Sequence, residues 1–212
     1  MNVKIAVLGT GSVGGTLGCR WAAAGHEVFF GAEDPASDEA AGVLQRAGSA
    51  AKLGTCAEAM AAANAVLLAI PWEPTREVLR QGGDLEGKIL IDCINPTAPG
   101  LAGLELGFDT SGAEQIAGWF PKAHVVKAFN ALSAATMANE QFGDQRASMF
   151  YCGDNDEAKA AVKALSDQLG FHGVDCGGLK LARQLEPLGM LYIHLAVFQG
   201  WGGECAFKLL KR

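Results

Sequence analysis

The chain has 212 residues, half of them apolar and 19% charged, with a formal net charge of −6. That balance excludes a disordered chain, and the length suits one domain, or one domain with an appendage, around a sizeable core. The 17 basic residues are scattered in an acidic chain, which argues against a nucleic-acid surface.

In chain order, Val3–Leu8 reads as a strand buried on both faces. A glycine-rich turn over 9–15 follows, with helix-forming residues from Ser12 to Ala24 and a stop at Gly25. Val28–Phe30 is a second buried strand; Asp38–Ala47 and Cys56–Ala63 read as helices. Ala65–Ile70 (AVLLAI) is a third strand, halted by Pro71. Lys88–Asp92 (KILID) is a fourth, ending in NPTAPG, and 97–112 looks irregular, as functional or mobile loops do. His124–Phe129 and Ser148–Cys152 read as strands around a helix at Ala134–Glu140. Glu157–Leu169 is strongly helical, with Gly170 at the stop position, and Phe171–Asp175 is a last short strand. From Leu179 the pattern is helical, broken around Pro187 and Gly200–Gly203.

Alternating strands and helices predict an α/β fold: a Rossmann-like doubly wound, mostly parallel sheet with a small C-terminal helical arm. The expected division is 1–178 for a dinucleotide-binding domain and 179–212 for the arm. Met1–Leu8 is too short for a signal core, and MLYIHLAVF at 190–198 falls below spanning length. The six cysteines form no CxxC pair or close metal-ligand spacing, a pattern of reducing compartments. A cytoplasmic protein without membrane, nucleic-acid or metal partners is the expectation.

GTGSVG at 9–14 fits GxGxxG, with Gly9 for the tight turn, Gly11 for close approach to a pyrophosphate and Gly14 for helix–strand packing. The pattern alone is weak in a chain with 28 glycines. Here it follows a strand, opens a helix and precedes an acidic strand end, Glu33-Asp34, by roughly 20 positions. Dinucleotide binding follows, with phosphates on the helix N-terminus. IPWEP at 70–74 reaches the same sheet edge, where Trp72 is either a rim aromatic over core or a wall beside the nicotinamide. His26, His124 and His172 read as structural or edge residues; His194 faces a pocket, a partner or the core. Asn130 either bonds the nicotinamide carboxamide or acceptor ring, or closes a turn. Trp201, set among Gly200, Gly202 and Gly203, implies close approach to a flat ligand or a symmetry-related helix. No catalytic acid, base or nucleophile stands out.

Several stretches together resemble the NADP oxidoreductases that use the deazaflavin coenzyme F420: VLGTGSVGG at 7–15, GHEVFFG at 25–31, IPWE at 70–73, VVKAFNALSAATMAN at 125–139, YCGDNDEA at 151–158, LEPLGMLYI at 185–193 and GWGGECAFKLL at 200–210. The same module resembles the cytosolic reductase domain of the STEAP metalloreductases. The resemblance implies hydride transfer between a nicotinamide dinucleotide and a deazaflavin or flavin-like coenzyme. It also implies a C-terminal region that completes the second pocket and forms a homodimer. Carried over, phosphate contacts fall on Thr10, Gly11, Ser12 and Val13, and the nicotinamide wall on Ile70, Pro71 and Trp72. Asn95, Phe129, Asn130 and Ala131 then lie under or beside the nicotinamide.

One stretch departs from that pattern. Where NADP-using relatives carry Ser-Arg or Arg-Arg after the strand glycine, this chain has Ala32, Glu33 and Asp34. An arginine would clamp a 2′-phosphate bidentately, whereas a carboxylate repels it and accepts from free ribose hydroxyls. NAD is therefore expected over NADP, unless Glu33 and Asp34 turn outward and Arg46 or Lys52 takes the phosphate. Two alternatives stay open: an NAD(P)-dependent reductase of small imines or hydroxy acids, and a non-catalytic dinucleotide-binding redox sensor.

Overall fold

The computed structural model describes residues 3–212, so Met1 and Asn2 at the head of the first apolar run lie outside the described residues. Its elements run β1 (Lys4–Leu8), α1 (Ser12–Ala23), β2 (Glu27–Ala32), α2 (Asp38–Ala47), β3 (Ala51–Thr55), α3 (Cys56–Ala62), β4 (Ala65–Leu68), α4 (Thr75–Arg80), β5 (Ile89–Asp92) and α5 (Gly112–Trp119). They continue with β6 (His124–Ala128), α6 (Ala134–Ala138), β7 (Gln141–Phe142), β8 (Gln145–Arg146), β9 (Ser148–Gly153), α7 (Asp156–Gln168), β10 (His172–Asp175) and α8 (Ala182–Ile193). Eight strands form one sheet in the order β10-β9-β6-β5-β4-β1-β2-β3, while β7 and β8 make a separate hairpin. The pairing of β6 with β9 is antiparallel and the other pairs of the large sheet are parallel. The mostly parallel, doubly wound sheet is thus present.

The central strands explain the sheet. β1 and β4 are almost wholly apolar and buried, as strands covered by helices on both faces must be. Along β1 the period of two sends Ile5 and Val7 into one cluster, with Leu17, Trp21 and Phe30, and Ala6 and Leu8 into the other, with Met60, Leu79 and Ile116. β1 pairs with β2 on one side and β4 on the other, so the strand order reverses there and a crevice opens beyond the carboxyl ends.

Several elements differ from the sequence expectation. β3 (AKLGT) is an edge strand, half exposed and lacking an apolar run, so neither alternation nor β-branching marks it. Residues 97–111 are irregular as expected, and α5, which had no sequence expectation, follows them, capped by Ser111 accepting from the Glu114 N–H at 3.2 Å. Pro187 does not break the last helix: α8 runs through it, anchored by the contacts of Leu185 and Glu186 described below. Beyond a π-helical turn at His194–Phe198, Gly200 and Gly202 adopt left-handed φ values of +73° and +71°, and 199–212 forms no helix. That tail lies extended against the body instead. The Ser148 N–H donates to the Phe207 carbonyl at 3.0 Å, and the hydroxyls of Ser133, Thr136 and Tyr192 all donate to the Gly203 carbonyl.

His26 is structural. Its ring accepts from the Val3 N–H at 3.1 Å and meets Gln168 Oε1 at 2.6 Å, tying the start of the chain to α7. No helix among the described residues is long and apolar enough to cross a membrane.

Arg20, near the end of α1, joins three segments: it donates to the carbonyls of Met137 at 2.7 Å and Leu169 at 2.8 Å and to Glu140 at 3.1 Å. Charge-assisted bonds of this kind contribute about 1.5–3 kcal/mol, and their loss leaves partly buried acceptors unpaired. Arg20→Ala is expected to lower stability by about 2–3 kcal/mol, read as a lower urea midpoint with an unchanged m-value.

Candidate functional site

The glycine turn is built by steric necessity. Gly9 has φ +102°, its N–H donates to the Gly31 carbonyl at 2.9 Å, and a Cβ there would strike the Ala69 carbonyl. A Cβ on Gly14 would strike the carbonyl of Gly9, so only glycine lets α1 sit this close to the turn. Gly11 is the N-cap of α1; no side chain caps the helix and its first turn holds no acidic residue. The leading N–H groups and the positive end of the helix dipole therefore find no anion within their own helix. This is a cradle that a diphosphate fits.

Two cavities flank that helix end. One, of about 460 Å³, lies beyond the ends of β1, β4 and β5 and brings together Val13, Ile70, Pro71, Trp72 and Asn95, with Glu105 and Ile193 opposite. Trp72 also stacks on Trp119 at 5.3 Å with a 23° interplanar angle, so it serves both core and cavity wall. The other cavity, of about 480 Å³, is lined by Thr10, Gly11, Ser12, Glu39 and Arg46. Glu39 carries no sequence signal, yet Thr10 Oγ1 donates to its Oε1 at 3.0 Å, which sets a carboxylate beside the turn.

Ala32 is buried at the end of β2, and Glu33 and Asp34 are exposed just beyond it. Asp34 Oδ1 accepts from the Ala36 N–H at 3.0 Å, so its carboxylate closes the turn into α2. Glu33 stands near the start of α3: burial raises the Cys56 thiol pKa, and the Glu33 charge raises it further. Lys52 lines a cavity with Lys4 and Glu27 at the opposite ends of the strands, away from the glycine turn.

Asn130 lies one layer behind the first cavity, with buried Ala131 beside it. Both of its amide hydrogens are committed, to Asn95 Oδ1 at 2.9 Å and the Leu185 carbonyl at 2.7 Å, and Asn95 Nδ2 donates back to the Asn130 carbonyl at 2.7 Å. Asn130 therefore orients Asn95, whose side chain borders the cavity. Phe129 makes this possible by adopting φ +64° within a buried aromatic cluster with Trp21 and Phe171. Gly189 of α8 lies flat on the two amides, since a Cβ would come within 2.6 Å of Asn95 Oδ1.

Beneath this pair sits a group that sequence reasoning missed. Lys127 of β6 is fully buried and donates to Asp92 Oδ2 at 2.8 Å, Glu186 Oε1 at 2.9 Å and the Ile94 carbonyl at 2.5 Å. Asp92 Oδ1 accepts from the Ile94 N–H at 2.9 Å. Glu186 accepts from the first N–H groups of α5, Gly112 at 2.9 Å and Ala113 at 3.2 Å. Burial opposes the Lys127 charge, but Asp92 and Glu186 outweigh it and hold its pKa above the usual lysine value. Burial holds the Glu186 pKa above the usual carboxylate value, with Lys127 lowering it and the Asp92 charge adding to the rise. The available signal was a charge interrupting each of three apolar runs, KILID, HVVKAF and LEPLG.

A further cavity, of about 640 Å³, adjoins the first across Leu101 and Glu105 and is lined by Phe108, Pro187, Met190, Leu191 and His194. Its outer wall is the 97–112 loop, closed by Ala98 N–H to Gly103 carbonyl and Glu105 N–H to Pro96 carbonyl bonds. Trp201 is 70% exposed.

Lys127→Met leaves two buried carboxylates without their counter-ion, and removal of one partner from a buried ion pair costs about 3–5 kcal/mol. A loss of that size is expected in the denaturant midpoint, larger than for a surface lysine such as Lys122.

The chain is similar to known proteins along nearly its whole length. Residues 4–96 match the family model described as NADP oxidoreductase, coenzyme F420-dependent. The F420-dependent NADP reductase of Methanothermobacter marburgensis is 31% identical over 209 residues, covering 92% of this chain and 93% of that protein. Metalloreductase STEAP3 of Rattus norvegicus is 33% identical over 191 residues, which cover 89% of this chain but only 37% of that protein. A crystal structure provisionally assigned as an F420-dependent NADP reductase from Arthrobacter sp. FB24 superposes with a TM-score of 0.89 at 32% identity, over 99% of this chain and 100% of that one. With matches along nearly its whole length, the chain belongs to the coenzyme F420-dependent NADP oxidoreductase family.

Proposed function

We propose that this oxidoreductase passes hydride between a nicotinamide dinucleotide and a deazaflavin or flavin-like coenzyme, with coenzyme F420 the acceptor that the relatives' names favour. The observation that carries the reading is the uncapped end of α1, opening onto the 460 Å³ crevice that adjoins a second cavity. The phosphates lie on Thr10, Gly11, Ser12 and Val13, between Gly9 and Gly14. The nicotinamide packs against Ile70, Pro71 and Trp72, near Asn95, with Asn130 and Ala131 behind it. The second coenzyme takes the cavity along α8. Residues 1–178 thus hold the dinucleotide, and 179–212 complete the acceptor pocket.

When bound, the dinucleotide supplies the transferable hydride; the chain supplies apposition and exclusion of water. Positioning of this kind accounts for about 7–11 kcal/mol of a barrier and needs no side-chain acid or base. The acceptor wall and the tail also carry exposed apolar groups, Leu191, Val197, Phe198 and Trp201 at 48, 57, 54 and 70% exposure. Such a patch supports a two-fold homodimer. A cytoplasmic setting accords with six unpaired cysteines.

The dinucleotide is NAD(H) in preference to NADP(H), because Glu33 at the end of β2 and Glu39 on Thr10 set two carboxylates against Arg46, the cation that lines the same cavity as Glu39. Fluorescence titration with both reduced dinucleotides is expected to give NADH at least tenfold tighter; tenfold tighter NADPH overturns the assignment. Changing Glu33→Ser and Asp34→Arg together should move the preference toward NADPH by tenfold or more, about 1.4 kcal/mol. Mixing the reduced dinucleotide with coenzyme F420 or a flavin should bleach the nicotinamide band, and failure with every acceptor would refute hydride transfer.

A further inference from the structure

The Asp92–Lys127–Glu186 group holds two carboxylates against one ammonium. Its hydrogen bonds are the set expected of an ammonium among carboxylates. The Lys127 ammonium donates to Asp92 and the Ile94 carbonyl and forms an ion pair with Glu186 at 2.9 Å. Each oxygen of Asp92 and of Glu186 accepts from an N–H, the arrangement that suits a carboxylate. Among the described residues only Ser166 Oγ is a buried side-chain polar atom without a partner, so no polar side-chain atom of the group is left unpaired. One negative charge is left over.

Little nearby cancels it. The thiols of Cys93 and Cys152 are pushed up to about 12, chiefly by burial, and stay neutral. Glu114 and Arg183, at the start of α5 and α8, neutralise each other at 2.8 Å. The N-terminus of α5 contributes about half a positive charge, which reduces the surplus but does not remove it.

The surplus lies directly behind the crevice. Ile94, bonded to Asp92 and Lys127 through its N–H and carbonyl, lines the cavity, as do Cys93 and Asn95. On the other side, a Cβ on Gly112 would touch both Glu186 Oε1 and Trp72 Cζ3 at 3.3 Å, so only that residue separates the carboxylate from the Trp72 wall.

We propose that the buried Asp92–Lys127–Glu186 group biases the bound nicotinamide toward its oxidised, cationic form, and so favours hydride leaving the dinucleotide for the acceptor. This rests on the reading that the nicotinamide occupies the Trp72–Asn95 crevice. In that direction the C4–H bond breaks with its electron pair, the ring becomes a pyridinium cation, and the deazaflavin or flavin gains the hydride and takes one proton from solvent. Positive charge appears on the ring in a water-poor crevice, where a fixed negative charge stabilises it more than water would. Glu186 and Asp92 touch no reactant in this account; they are positioning residues that act through field and packing.

The test measures affinity rather than turnover. Dissociation constants for NAD+, NADH, NADP+ and NADPH are determined by calorimetry at pH 8 for wild type, Glu186→Gln and Asp92→Asn, with thermal melts as a folding control. Each substitution removes one unit of charge with little change in shape, one from α8 and the other from β5. For the preferred dinucleotide, the ratio of oxidised to reduced dissociation constants should rise about tenfold in both variants, the effect of a unit charge across roughly 10 Å at an effective dielectric constant of about 20. A structural role alone would weaken both forms equally and leave the ratio unchanged, which overturns the proposal. So would a ratio that moves in Glu186→Gln but not in Asp92→Asn, because that traces the effect to displacement of α8. If wild type binds no dinucleotide, both the proposal and the functional reading fail; if it binds normally and the ratios stay constant, only the proposal does.

Discussion

The crevice half of the site hangs on a lysine shut away from solvent. Placing an ammonium in a fully buried position is costly unless every proton finds an acceptor, and Lys127 satisfies that condition with Asp92, Glu186 and the Ile94 carbonyl. Those partners come from β5, the loop after it and α8, while Glu186 reaches on to the first N–H groups of α5. Four elements are thus referred to one atom. Buried ion groups are poor sources of net stability compared with apolar packing; the return here is geometric. α8 can dock in one position only, because a shift of a single turn would strand charges on both sides.

The two ends of the site are built on different physics. Around the glycine turn, shape comes from the lack of side chains: backbone approaches backbone so closely that a methyl group has no room, and the helix end is left bare. Around the crevice, shape comes from committed polar groups. Asn130 spends both donors on Asn95 and Leu185, and Gly189 covers the pair, so the one amide bordering the cavity is held by a second that cannot turn away. The first arrangement suits an anion, and the second offers Trp72, Asn95 and Ile193 as walls for the ring proposed to lie there. The acidic fringe at Glu33 and Glu39 belongs to neither and acts on what approaches.

Much of this was legible in the chain because it obeys local rules. Val3–Leu8, GTGSVG and the helix after it agree in period, punctuation and order, and AVLLAI admits no other reading than a covered strand. What escaped notice depends on partners far apart in sequence. β3 is held by pairing with β2, from Val28–Ala51 to Ala32–Thr55, and not by its own composition. Pro187 reads locally as a helix breaker, yet the contacts of Leu185 with Asn130 and of Glu186 with Lys127 and the start of α5 hold the helix through it. Lys127 within HVVKAF, Asp92 at the end of KILID and Glu186 within LEPLG each look like a surface charge; only the sheet order, which sets β5 beside β6 and both under α8, turns them into one group. Glu39 gives no local sign because its role comes from Thr10, 29 positions earlier.

Gly189 carries a consequence for anyone recombining such chains. Its bare α-carbon rests on Asn95 and Asn130, and the preceding turn of the same helix delivers Glu186 to Lys127. The segments 92–95, 127–130 and 185–189 therefore behave as a single inheritable unit, although more than fifty residues of chain separate the last two. A hybrid whose crossover falls between them would inherit matching halves of neither lock, and a designer wishing to borrow another acceptor surface should transplant all three together.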